Sequence, residues 1–287
     1  MGTQRLAAPP RSEQFTEAYD AVLARWPIPV EAIDLSSDYG TAHVNACGPA
    51  DAPPLVLLHG GGATSTVWFA NVEALGAAHR VYAVDTIGDA GRSVHDGKPI
   101  KTPADLMDWL DTVRVGLGLE SADFCGHSYG AWLSLSYALH APNHVRKLAL
   151  LDPTKCFVGY RPRYLVRAAP VILWPSAQRT RDYLAWETGN APLDPEWVTL
   201  SALGTEFPKS KVVVGPTPKA EQLRALTNPT LVVLAERSKA HDIRRVGDAA
   251  RATVANVTVT TLQGASHHTI PSESAAELNR QLVEFLG

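Results

Sequence analysis

The sequence predicts an α/β fold: a mostly parallel central sheet flanked by helices, with a mainly helical insertion past its middle. Three observations predict it. Short apolar strand-like runs alternate with helical stretches between residues 54 and 151, and again between 230 and 286. The run Pro54–Leu58 is continuously apolar, as in a strand buried on both faces of a parallel sheet. Between about Thr154 and Thr227 the alternation breaks, yet the segment carries helical patterns, many arginines and prolines, and Trp174, Trp186 and Trp197. A structureless loop of that length is implausible inside a compact domain, so the segment reads as helices.

The elements follow in order. Residues 1–11 are expected to be loose. Ser12 can cap a helix through about Arg25, in which Phe15, Tyr19, Val22, Leu23 and Trp26 recur at helical spacing, and Pro27 and Pro29 end it. Strands over 31–36 and 41–46 flank a turn at Asp38-Tyr39-Gly40. After Pro54–Leu58 come His59-Gly60-Gly61-Gly62, a helix near 67–78, a strand over 81–84 and a helix over 103–117. A strand at Ala122–Cys125, a helix over 131–139 and a strand over 147–151 complete the first half. The second half places strands at 230–235 and 257–262, and helices at 243–254 and 272–286. The expected division is an N-terminal core part (1–153), a helical lid (154–227) and a C-terminal core part (228–287). A lid there would cover the carboxyl ends of the strands, where open α/β sheets place ligands.

Composition excludes several classes. The chain has 287 residues, 45% hydrophobic and 19% charged, and a net charge of −3. That fits one soluble core and leaves no basic footprint for nucleic acid. No apolar run approaches the ~20 residues that span a bilayer, and no signal-peptide pattern opens the chain, so a cytoplasmic protein without a membrane partner is expected. Cys47, Cys125 and Cys156 are odd in number and far apart, which suits reduced thiols rather than disulfides or a metal site. Cys125 reads as a small buried strand residue.

The chemistry concentrates at Gly126-His127-Ser128-Tyr129-Gly130, a G-x-S-x-G run between a strand and a helix. Two glycines permit a very tight strand-to-helix turn, which presents the Ser128 hydroxyl at the positive end of a helix.

With these pieces in order, the chain resembles the α/β-hydrolase superfamily along nearly all its length. The landmarks are His59–Gly62 after a buried strand, the stretch Asp85-Thr86-Ile87-Gly88-Asp89-Ala90-Gly91-Arg92-Ser93, the Gly126–Gly130 elbow and His267 near the C-terminus. More narrowly it looks like bacterial lidded carboxylesterases. The resemblance implies a serine nucleophile at Ser128 and, after the last strand, a histidine base to activate it. Gly264-Ala265-Ser266-His267-His268 holds that histidine. The family's glycine directly before the base is Ser266 here, which favours His267 over His268.

The orienting carboxylate is open. The family's usual aspartate, in a pattern like G-E-x-D after the penultimate strand, is replaced in Ala235-Glu236-Arg237-Ser238 by serine. Asp242, four residues on, is the first choice, because related esterases with this gap carry an aspartate there. Glu236 and Asp152 are alternatives, the latter because some superfamily members take their acid from that strand end. The resemblance further implies an oxyanion hole made by the backbone N–H groups of Tyr129 and Gly61, with Gly62 a further candidate.

Other residues read more plainly. His59 is expected to make supporting hydrogen bonds at the start of the oxyanion loop, with lining the cleft the alternative. Gly62, His127 and His268 are expected to line the cleft or pack beside it, and His241 to lie at the surface. Arg92 reads as an ion-pair anchor within a loop that lacks dinucleotide spacing. The lid tryptophans are expected to pack on the core. No metal or organic cofactor is implied. The leading expectation is hydrolysis of a small or medium, largely apolar carboxylic ester through an acyl-enzyme on Ser128. Acyl transfer, lactone hydrolysis and thioester hydrolysis use the same machinery. A hydrolase-like ligand-binding protein with little turnover is the rival outside catalysis, supported by the serine at position 238.

Overall fold

Strands apolar on both faces need neighbours on both edges and helices on both faces. The computed structural model, which describes residues 12–207 and 213–287, supplies them. The expectation of a loose stretch at 1–11 lies outside the described residues. Among those described, eight strands form one sheet: β1 (Glu31–Ser37), β2 (Gly40–Cys47), β3 (Pro54–Leu58), β4 (Arg80–Val84), β5 (Ala122–His127), β6 (Val145–Leu151), β7 (Thr230–Ala235) and β8 (Val257–Leu262). Their order is β1-β2-β4-β3-β5-β6-β7-β8. Pairing is antiparallel for β1–β2 and β2–β4 and parallel for the rest. β3 sits inside the parallel part, with Leu55–Leu58 aligned to Val81–Val84 on one side and to Asp123–Gly126 on the other.

Ten α-helices accompany the described strands: α1 (Glu13–Leu23), α2 (Val72–Gly76), α3 (Pro103–Gly116), α4 (Tyr129–His140), α5 (Pro162–Leu173), α6 (Ala177–Thr188), α7 (Pro195–Leu203), α8 (Ala220–Arg224), α9 (Ile243–Thr253) and α10 (Ala275–Leu286). α3, α4 and α9 bury Trp109, Leu133 and Val246 on one face of the sheet. α2 and α10 bury Leu75, Leu278 and Leu282 on the other. Ser12 caps α1 as its sequence predicts, accepting from the Phe15 N–H. The helix expected near 67–78 is divided into a 3₁₀ turn over Ser65–Ala70 and α2.

The loop after β4 is tied down by Asp85. Its buried carboxylate accepts from Tyr19 Oη on α1 (3.0 Å), from the Ser65 N–H (2.7 Å) and from the Arg92 N–H (2.6 Å). Arg92 then pairs with Asp20 at 2.6 Å and lies over the Tyr19 ring, the anchoring expected of it.

α5 to α8 form the insertion between β6 and β7. The tryptophans within it do not share one role. Trp197 packs against the core, Trp186 faces the guanidinium of Arg167 and the ammonium of Lys239, and Trp174 is 63% exposed. The expectation that all three pack on the core is therefore corrected, because Trp174 ends α5 on a face that is exposed among the described residues. Among the described residues no helix is long and apolar enough to cross a membrane.

Candidate active site

β5 delivers Ser128 to the carboxyl edge of the sheet, and α4 begins at the next residue. The turn is so tight that only glycine fits at its ends. A Cβ on Gly126 would stand 2.2 Å from the Gly130 carbonyl oxygen, and one on Gly130 would stand 2.1 Å from that of Leu58. Ser128 itself is held at φ 53°, ψ −109°, a conformation that side chains rarely adopt. It is 7% exposed.

The loop after β8 brings His267 to it. His267 Nε2 lies 2.8 Å from Ser128 Oγ, and Nδ1 lies 2.6 Å from Asp152 Oδ2. The arrangement fixes the tautomer: Nδ1–H donates to the carboxylate, leaving Nε2 to accept the serine proton. Burial pushes the His267 imidazole below its ordinary pKa, against the upward pull of Asp152, so at neutral pH it is an unprotonated base.

Asp152 follows directly on β6, with φ 39°, and is wholly buried. It also accepts from Ser238 Oγ (2.6 Å), His241 Nε2 (3.0 Å) and the Ala235 N–H (3.0 Å). Burial alone would raise its pKa. The adjoining His241 and His267 outweigh that and hold the carboxyl well below the usual carboxylate range.

Behind His267 stands His127, whose Nε2–H donates to the His267 carbonyl at 2.7 Å. Burial, with His267 and His268 nearby, pushes its pKa down to about 3, so it stays neutral and serves as a fixed hydrogen-bond donor.

On the other side of Ser128 the β3 exit loop approaches closely. A Cβ on Gly61 would touch Tyr129 Cβ at 3.6 Å. Among the described residues no acceptor engages the N–H of Gly61 or of Tyr129, so both are available to a developing oxyanion. The Gly62 N–H is already committed to Asp89 Oδ2 at 2.7 Å, which removes Gly62 as a third donor. His59 is buried, accepting from the Thr86 N–H at Nε2 (3.0 Å) and donating to the Gly60 carbonyl at Nδ1 (2.8 Å). It braces the loop and does not line a cleft.

A sequence model of the alpha/beta hydrolase family matches residues 55–281, most of the chain. The chain belongs to the alpha/beta hydrolase family. Carboxylesterase YbfK of Bacillus subtilis is 29% identical over 292 aligned positions, covering 99% of this chain and 97% of the relative. The crystal structure of that carboxylesterase, CesB (YbfK), superposes with a TM-score of 0.89 over 95% of this chain and 97% of its own. Naproxen esterase (carboxylesterase NP) from Bacillus subtilis gives 0.87 at 28% identity, covering 97% and 100%.

Within this alpha/beta hydrolase, three expectations need correction. Asp242 does not reach the histidine. It caps α9, accepting at Oδ1 from the N–H groups of Arg244 (3.1 Å) and Arg245 (3.3 Å), and faces Arg161 at 3.4 Å. Its carboxylate is thus committed to the first N–H groups of its own helix and to Arg161. The Arg245 N–H and Arg161 hold its pKa below the ordinary value. Glu236 is exposed, and its carboxylate takes the Gly264 N–H at 2.8 Å, steadying the histidine loop rather than the imidazole. His241, expected at the surface, is 1% exposed and bound to Asp152. Asp242→Ala should leave kcat within twofold of wild type and cost about 1 kcal/mol of stability, the usual worth of an N-cap. Steady-state ester hydrolysis and a urea melt check both halves.

Sequence reasoning missed Glu187 altogether. This buried carboxylate on α6 accepts from Ser266 Oγ (3.0 Å) and from the N–H groups of His267 (3.2 Å) and His268 (3.2 Å). His268 Nδ1 stands 3.3 Å from it, and the His268 ring is partly exposed. Nothing in the residues around position 187 announces the partnership, which spans 80 positions of chain. Among the described residues no group of three or more His, Cys, Asp or Glu side chains is arranged to hold a metal ion.

Proposed function

We propose that the protein is a serine carboxylesterase in which Ser128, His267 and Asp152 act as nucleophile, base and orienting carboxylate. The observation that carries this is the continuous chain Ser128 Oγ–His267 Nε2 (2.8 Å) and His267 Nδ1–Asp152 Oδ2 (2.6 Å), ending in a carboxylate that stays ionised. His267 takes the Ser128 proton as Oγ attacks the ester carbonyl. The negative charge that develops on the carbonyl oxygen falls to the N–H groups of Gly61 and Tyr129. His267 then protonates the departing alcohol, leaving an acyl-enzyme. Water, activated by the same imidazole, releases the acid and restores Ser128.

The insertion acts as a lid and shapes the substrate. Tyr164 on α5 meets the His267 ring edge-on at 6.0 Å, Tyr183 on α6 meets that of His268 at 5.4 Å, and Tyr160 stacks on Tyr164 at 5.6 Å. An aromatic wall beside a nearly closed serine favours a small or medium, largely apolar ester. The names of the relatives, a carboxylesterase and a naproxen esterase, agree with that class. The binding-only reading rested on Ser238 standing where the family carries its acid. Asp152 fills that role, and Ser238 Oγ donates to it, so the reading loses its support.

Intact-mass labelling with an alkyl fluorophosphonate tests the proposal. Wild type should gain one adduct, Ser128→Ala none, and only wild type should turn over p-nitrophenyl butyrate. An adduct that persists on Ser128→Ala, or a folded wild type that takes none, would overturn it.

A further inference from the structure

The loop that carries His267 has an unusual anchor. Two successive backbone N–H groups, those of His267 and His268, point at one carboxylate, and the Ser266 hydroxyl adds a third donor. The carboxylate, Glu187, comes from the insertion, whereas the other hydrogen-bond partners of His267, namely Ser128, Asp152 and His127, stand at the ends of sheet strands. It also faces His268 Nδ1 at 3.3 Å. The adjoining residue repeats the tie: the Trp186 carbonyl accepts from Lys239 Nζ, on the loop that also bears Ser238 and His241. The end of α6 thus fastens to both loops that surround Asp152 and His267. The start of α5 adds a third tie, the Arg161 N–H donating to the Ala240 carbonyl at 2.8 Å.

We propose that Glu187 is a positioning residue for His267, so that seating of the insertion and alignment of the base are a single event. The proposal rests on the reading of Ser128 and His267 as nucleophile and base. Its physical ground is that a buried carboxylate without its donors is costly, as are buried N–H groups without an acceptor. Three donors and one carboxylate therefore favour one relative placement of α6 and the histidine loop. If the insertion lifts, the loop loses the acceptor that orders it. Burial alone would raise the Glu187 pKa, but His268, His267 and the backbone N–H groups hold it at about 2, so the anchor keeps its charge throughout the working range.

That charge also acts on His267 directly. The groups facing the imidazole are Asp152 from β6, His241 from the β7–α9 loop, His127 from β5, Tyr164 from α5, and His268 and Glu187. Tyr183 faces Glu187 and His268, and Glu273 bonds Thr269, which contacts Ser266. Of these, Asp152 and Glu187 raise the pKa of His267 and His268 lowers it. The base works only when unprotonated, so activity is lost as pH falls through that pKa. Removing the Glu187 charge lowers the pKa and moves the acidic limb of the rate profile to lower pH. A role confined to holding the fold would leave that limb in place.

The test is the pH dependence of kcat and kcat/KM for p-nitrophenyl butyrate with wild type, Glu187→Gln and Glu187→Asp. Glu187→Gln should lower kcat about tenfold, within the ~10²-fold that a 1 Å misplacement can cost, and change KM less. Its acidic limb should move down, by less than the ~1–3 units that an adjacent opposite charge supplies, because Asp152 is the stronger of the two carboxylate influences on His267. Glu187→Asp keeps the charge on a side chain one methylene shorter, and should restore the limb and part of kcat. A Glu187→Gln enzyme with wild-type kcat and limb would overturn the proposal. If that variant does not fold, a Glu187→Asp enzyme indistinguishable from wild type would overturn it equally. Failure of the underlying site reading looks different: Ser128→Ala would then keep its turnover whatever happens at position 187.

Discussion

Asp152→Asn is expected to lower kcat by about 10⁴-fold while leaving KM near the wild-type value. Loss of the orienting carboxylate in triads of this kind has that effect because the imidazole takes the wrong tautomer and its charged form goes unstabilised. Here the carboxylate lies 2.6 Å from Nδ1 and is buried with it, so no water can take its place. Since Asp152 also holds the His267 pKa up, the residual activity should persist to lower pH than in wild type.

The substitution carries a sharper corollary. Ser238 occupies the position at which the family usually carries its acid, and its hydroxyl lies 2.6 Å from Asp152 Oδ2. An aspartate introduced there would stand beside Asp152 Oδ2, the oxygen that the imidazole engages. The double variant Asp152→Asn, Ser238→Asp should therefore recover at least tenfold over Asp152→Asn alone. Ser238→Asp alone should fare worse than wild type, because two carboxylates then share one buried site and one must take a proton. Ester hydrolysis by the three variants decides the matter. No recovery in the double variant, together with a mild Asp152→Asn, would shift the orienting role to another group.

How much of this was legible in the sequence depends on whether the signal is local. Strands such as Pro54–Leu58 and Thr230–Ala235 announce themselves by apolar runs, and the elbow by two glycines four positions apart. Both signals are local, and outside the insertion the described strands and helices fall within a few residues of their expected bounds, apart from the divided helix near 67–78. Ser128 and His267 meet where their motifs put them. The acid was not legible in the same way. Asp242 is the first choice because related esterases with the gap at Ser238 carry an aspartate there, whereas it is Asp152, at the end of β6, that lies 2.6 Å from His267 Nδ1. Sequence periodicity identifies strands without ordering them. Asp242 also stands directly before α9, in the N-cap place that aspartate favours. Glu187 and His241 are harder still. Each is an unremarkable polar residue locally, and each becomes buried only because the insertion and the β7–α9 loop close over Asp152 and His267.

The largest effect on rate is expected at Ser128, and replacing it separates activity from stability. Ser128→Ala and Ser128→Gly should both lose about 10⁶-fold in kcat, the scale set by deleting a serine nucleophile whose partners act as a unit. Their stabilities should differ in the reverse of the usual order. Glycine normally costs about 0.5–1 kcal/mol relative to alanine, because it gains more freedom on unfolding. At φ 53°, ψ −109°, however, any side chain meets strain of about 1–3 kcal/mol that glycine escapes. Alanine keeps that strain, and both variants lose the 2.8 Å bond to His267 alike, so the bond cancels in the comparison. The difference that remains favours Ser128→Gly by about 1 kcal/mol, readable as a later urea midpoint at unchanged slope. Equal midpoints, or a less stable glycine variant, would mean that the elbow holds Ser128 without strain. A more stable glycine enzyme that cannot turn over would show that the exposed angle of the nucleophile is maintained at the fold's expense.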